Sequence, residues 1–173
     1  MLFPTFSKSR FRTSRFLLFF ATCLFLSLFT LAQVTLTHRM LTGYFLSNEA
    51  PVNKSKPTLF IFERADTFEK VFQPATTTSR KPTVPNFNKE MVVGIALPST
   101  NKPPRLSVSK VFVQDSVLTV RYIRLADTTL TKNPQSFTSQ PMLLLAIPKQ
   151  NVLKTKLVEN GKVVETRKKE VTE

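Results

Sequence analysis

Several sets of residues in this 173-residue chain have types and spacings that chemistry could use. Ser107 and Lys110 form an S-x-x-K string, in which a lysine amine acts as general base for a serine nucleophile. That pairing needs a helix start to bring the two side chains together. Here they fall in a strand-like run, where residues three apart point to opposite faces. Glu63, Asp66 and Glu69 are the one local carboxylate cluster. A glycosidase needs two carboxyls facing each other across a cleft, about 5–9.5 Å apart. Three acids around a helix start are accounted for by capping and the helix dipole.

The rest of the inventory is equally sparse. His38 is the single histidine and Cys23 the single cysteine, so no multi-histidine metal site can be assembled within one chain. Gly43, Gly94 and Gly161 lie too far apart for a phosphate-cradling loop. Asn53-Lys54-Ser55 is a glycosylation sequon, meaningful only in a eukaryotic secretory route. These residues speak against catalysis, and neither a cofactor nor a small-molecule substrate is expected.

What the chain has in abundance is positive charge. It carries 25 Lys and Arg against 11 Asp and Glu, a net charge of +14. Such a balance attracts polyanions such as anionic lipid headgroups or acidic glycans. The basic residues gather towards the C-terminus, and Lys154, Lys156, Lys162, Lys168 and Lys169 are the candidate polyanion contacts. Arg121-Tyr122-Ile123-Arg124 mixes charge with an aromatic ring, but no nucleic-acid-binding module accompanies it. Lys102-Pro103-Pro104-Arg105, a rigid basic turn, is the candidate contact tip for a protein partner.

The first 32 residues decide where this charge is displayed. Lys8, Arg10, Arg12 and Arg15 precede an apolar block, FLLFFATCLFLSLFTLA, from Phe16 to Ala32. A basic n-region, an apolar h-region and small residues at Thr30 and Ala32 make a secretory signal cleaved after Ala32. The alternative is an uncleaved anchor, since 17 apolar positions approach the roughly 20 that span a bilayer. Either way the basic flank stays cytoplasmic and the following chain is exported, to the periplasm, cell envelope or exterior. Cys23 sits inside the apolar block rather than at its end, so it is not a lipidation site. Loss of the four basic leader residues takes the net charge from +14 to +10. The remaining 141 residues suit one domain, without a cysteine to staple it.

These elements must position whatever function there is. Residues 33–57 read as an extended arm or linker, with an edge strand near Val34 and Leu36. Residues 58–63 (TLFIFE) have strand length, and a short helix follows, capped by Asp66 with Glu69 as its capping-box partner. Phe68, Val71 and Phe72 give that helix one apolar face, and Pro74 ends it. The continuous run MVVGIAL at 91–97 is a central strand covered on both faces, with Gly94 marking a bulge or a close backbone approach. Runs at 106–113 and 117–125 form a hairpin around Gln114-Asp115-Ser116. A long polar loop covers 127–141, and MLLLAI at 142–147 is another buried strand. Finally, Asn160-Gly161 sits between two alternating segments as a primed hairpin turn. The expected fold is α+β and β-rich: a mostly antiparallel sheet, sandwich or partly open barrel with one short helix, in a single domain over 58–173.

The order of these elements resembles the C-terminal domain of the PrcB family. TLFIFERADTFEKVF, then PNFNKEMVVGIAL, a hairpin, and PMLLLAIPK follow the family's succession. Phe87, Asn88, Lys89, Met91, Val92 and Val93 match one motif, with Asn86 where an acid is usual, and Ile147, Pro148 and Lys149 match another. The likeness spans residues 58–167. The family's Gly-rich turn ending in Gly-Tyr is replaced here by LPSTNKPPRL. The resemblance implies an exported, non-catalytic accessory subunit associated with a cell-surface or periplasmic protease complex.

Overall fold

A computed structural model describes residues 33–75 and 81–169, so the predicted leader lies outside the described residues. The chain order is β1 (Val34–Thr35), β2 (Arg39–Met40), β3 (Tyr44–Leu46), β4 (Thr58–Phe62), α1 (Ala65–Val71), β5 (Phe72–Pro74), β6 (Glu90–Ala96), β7 (Arg105–Gln114), β8 (Val117–Leu125), α2 (Thr128–Lys132), β9 (Met142–Pro148), β10 (Lys154–Glu159) and β11 (Lys162–Lys168). Two main sheets result. One has the order β1-β7-β8-β10-β11 and the other β2-β9-β6-β4, while β3 and β5 form a small two-stranded ribbon. The β-rich expectation holds, with mixed and antiparallel sheets and, among the described residues, no closed barrel.

The sequence of β6 explains the layering. Met91, Val93 and Ile95 face the five-stranded sheet and join Leu118, Val120, Tyr122 and Leu157 in one core. Val92 and Ala96 face the other way and join Phe60, Phe62, Phe68 and Phe72 in a second core beneath α1. β9 divides its apolar residues the same way: Leu143, Leu145 and Ile147 to the first core, Leu144 and Ala146 to the second. A strand apolar at every position must be covered on both faces. The four-stranded sheet is therefore the middle of three layers.

Gly94 is a close approach, not a bulge. β6 pairs without a register break, and a Cβ at Gly94 would lie 2.8 Å from Cε2 of Phe72. The missing side chain lets the Phe72 ring approach the strand, where it contacts those of Phe60, Phe62 and Phe68 at 5.7–5.8 Å.

The local expectations fared differently. At the C-terminal hairpin, Asn160 and Gly161 have φ of 48° and 85°, the positive pair a primed turn requires. Asp115 and Ser116 make a second such turn, with φ of 50° and 58°. Asp66 does not cap α1. The N-cap is Arg64, whose guanidinium holds Asp66 at 2.6 Å, so the carboxylate is engaged before it can reach the helix N–H groups. Pro74 does not end the helix either: α1 stops at Val71 and β5 takes the chain onward against β3. The loop at 127–141 contains a second helix, α2. Asp127 Oδ1 caps it by accepting from the N–H groups of Thr129 and Leu130. The arm supplies edge strands: β1 pairs with β7, β2 with β9 and β3 with β5.

Candidate polyanion-binding face

One side of the five-stranded sheet packs on the core, and its other side is where basic residues gather among scattered apolar ones. Register and strand alternation give the rows of that outer side. Lys110 stands opposite Arg121, which lies beside Val158 and then Val163. The next row runs from Phe112 through Thr119 and Lys156 to Thr166. The third runs from Gln114 through Val117 and Lys154 to Lys168. Lys110↔Arg121 and Lys154↔Lys168 are thus like charges directly opposite each other, an arrangement that destabilises a sheet. Lys110 Nζ and the Arg121 guanidinium each lie 5.3 Å from the Phe112 ring centre. Both cations lie over the ring, in cation–π contact with it.

No carboxylate occupies an outward position on these strands, because both strand glutamates turn inward. Glu159 accepts a hydrogen bond from the Tyr122 hydroxyl and pairs with Arg124 at 3.6 Å. Burial, then the Glu159 carboxylate, pushes the Tyr122 phenol well above its ordinary range. Glu165 accepts from the Leu59 N–H at 2.9 Å, and Arg167 Nη1 donates to the Leu59 carbonyl at 3.0 Å. Two side chains of β11 thereby satisfy the open edge of β4, as a paired strand would.

Among the predicted contacts, Lys154, Lys156 and Lys168 share this outer face. Lys162 pairs in register with Glu159 and so lies on the inward parity at the turn. Lys169 is held by Glu63 at 2.8 Å, on the side towards β4. Lys110 and Arg121 were missed. Ordinary alternation puts Arg121 on the outer face. Lys110 joins it only because a bulge around Ser109 shifts the register of β7. That bulge corrects the reasoning about the S-x-x-K string, since Ser107 and Lys110 share a face. Lys110 Nζ nevertheless points along the sheet, 3.4 Å from Gln33 Oε1.

The predicted partner tip is braced. Thr100 pairs with Ser139, the Gln135 N–H donates to the Asn101 carbonyl, and Arg105 is held by Asp127 at 2.9 Å. The Asp127 carboxyl sits below its usual range because Arg105 and the first N–H groups of α2 bind its charged form. Arg105 is therefore engaged. Lys102 stays exposed, and Pro103 and Pro104 are half-buried.

A cleft of about 310 Å³ opens between the β4–α1 corner, the start of β10 and the end of β11. Of its charged lining, Glu63 pairs with Lys169, Arg64 with Asp66 and Arg167 with the Leu59 carbonyl, while Lys154 and Lys168 border it as well. Among the described residues no group of three or more His, Cys, Asp or Glu could hold a metal ion, and His38 is exposed. No family model matches this chain, and neither does any curated protein or solved structure.

Proposed function

We propose that this chain is an exported, non-catalytic binding domain that attaches to anionic envelope surfaces through the outer face of its five-stranded sheet. The observation that carries the reading is the pair of like-charge oppositions, Lys110↔Arg121 and Lys154↔Lys168, with no outward carboxylate among them. Each such opposition costs the isolated sheet about 0.2–1 kcal/mol. An anionic partner turns the same repulsion into attraction.

The test is retention of the full chain, in a zwitterionic detergent, on immobilised heparin as a polyanion probe. Retention should fall steeply with salt, and the triple variant K110E/K154E/K168E should elute with the void. Failure to bind at low salt, or a triple variant retained like the parent, would overturn the reading.

A second reading follows the PrcB-like order of elements: an accessory subunit of an exported protease complex. It is supported by the bracing of the 98–104 turn against the 127–141 loop, which presents Lys102 on a rigid support. Purification of the tagged chain from its own cell envelope tests it. A stoichiometric exported protease lost with Lys102→Glu is expected, and its absence from the eluate would sink the idea.

A further inference from the structure

The basic face also carries exposed apolar side chains, which a binder of soluble polyanions has no use for. Ile123, Leu125 and Val163 are 38%, 58% and 59% exposed. All three take outward positions: Ile123 opposite Ser107, Leu125 opposite Arg105, and Val163 opposite Val158. They cluster towards the β8 C-terminus and the Asn160-Gly161 turn, at one end of the face. Lys154 and Lys168 lie towards the other end, and Lys156, Lys110 and Arg121 between.

Resting on the polyanion reading above, we infer that the anionic partner is a lipid bilayer. The lysines and Arg121 meet headgroup phosphates, while Ile123, Leu125 and Val163 enter the headgroup–acyl boundary. A surface that binds at this boundary needs both chemistries on one side, cations for the anionic leaflet and apolar groups for the layer beneath. An acidic glycan offers only the first. An exposed Leu125 gains nothing from a sulfate and is favoured on entering hydrocarbon.

The chain contains no tryptophan, so a single introduced one reports without background. Full-length Leu125→Trp would be reconstituted into phosphatidylcholine vesicles with or without phosphatidylglycerol, so that the apolar block serves both lipids equally. Val84→Trp, at a residue 76% exposed in the 81–85 segment, is the control. The expected result for Leu125→Trp is a blue shift and quenching by brominated lipid in anionic vesicles only, reversed by 1 M salt. The control should stay unquenched. Lys154→Glu with Lys168→Glu should lower the docked fraction at least tenfold, since each basic group near an anionic surface contributes about fivefold.

Equal quenching of Leu125→Trp in both lipids would overturn the role of charge, and with it the inference. An unshifted emission from the same variant, with heparin retention intact, would overturn the lipid partner and leave the polyanion reading standing. Loss of both signals would remove both.

Discussion

The two outer sides of the molecule treat phenylalanine in opposite ways. Beneath α1, Phe60, Phe62, Phe68 and Phe72 form a set of ring contacts, with Phe68 also against Tyr44 at 5.1 Å and Phe87 at 5.8 Å. On the far side of the five-stranded sheet, Phe112 meets no other aromatic ring among the described residues and instead has the cations of Lys110 and Arg121 over its ring. The difference follows from sequence. β6 and β9 are apolar on both faces and require a covering helix, whereas β8 and β10 interleave Thr119, Arg121, Lys154 and Lys156 and require none. The aromatic side is closed by α1, and the far side is left to carry charge.

If that division is right, substitutions on the two sides should differ in size and even in sign. Phe72→Ala empties a fully buried site among three other rings and should cost about 3–5 kcal/mol in urea unfolding. A loss below about 1 kcal/mol would mean the aromatic layer is not where stability resides. Gly94→Ala drives a methyl into the same ring and should cost about 1–3 kcal/mol by thermal melting. Pairing it with Phe72→Leu, which vacates part of the space, should recover much of that loss.

Tyr122 lies between the layers, and removing its hydroxyl with Tyr122→Phe should cost about 1.5 kcal/mol, the lower bound for a hydrogen bond to a charged group. Its phenol is held above the ordinary value of 10.0, so the folded state favours the protonated form. The stabilisation is complete below pH 10 and is lost as the pH rises beyond it. Parent and Tyr122→Phe unfolding midpoints should therefore converge as the pH climbs above that value. Glu90 has the opposite sign. Its carboxyl is lowered from 4.5, first by the Asn86 N–H and then by Arg39, so its contribution is present above pH 4.5 and fades as the pH falls below it. The smallest effect belongs to the basic face. Lys168→Glu, opposite Lys154, should raise stability by about 0.2–1 kcal/mol while weakening heparin retention. A destabilised variant would show that the like charges are not opposed.

Much of the fold could be read from the chain before its structure. β8 spans the anticipated residues 117–125, because apolar positions alternate there and a turn precedes it at Asp115-Ser116. The Asn160-Gly161 hairpin announces itself through the positive φ that its residues tolerate. Less local decisions stayed hidden. The parallel pairing of β10 with β8 depends on β9 crossing to the other sheet, and nothing within either strand encodes it. Asp66 has the composition of a cap, and only the proximity of Arg64 diverts it. The basic face was half visible: Lys154, Lys156 and Lys168 share it, but Lys162 and Lys169 resemble them in sequence and point elsewhere. The bulge that brings Lys110 beside Arg121 leaves no mark in SVSKV, since Ser109 is an unremarkable strand residue.

The grip of Glu165 and Arg167 on Leu59 has a consequence in time. The partners are separated by 106 and 108 positions along the chain. A ribosome delivers residue 59 long before residue 165, and at about 5–20 residues per second the interval is some 5–20 seconds. Throughout it the edge of β4 stands open, and contacts so distant in sequence form slowly even once both ends exist. The edge is closed only when β11 arrives, so this contact is among the last the chain can make.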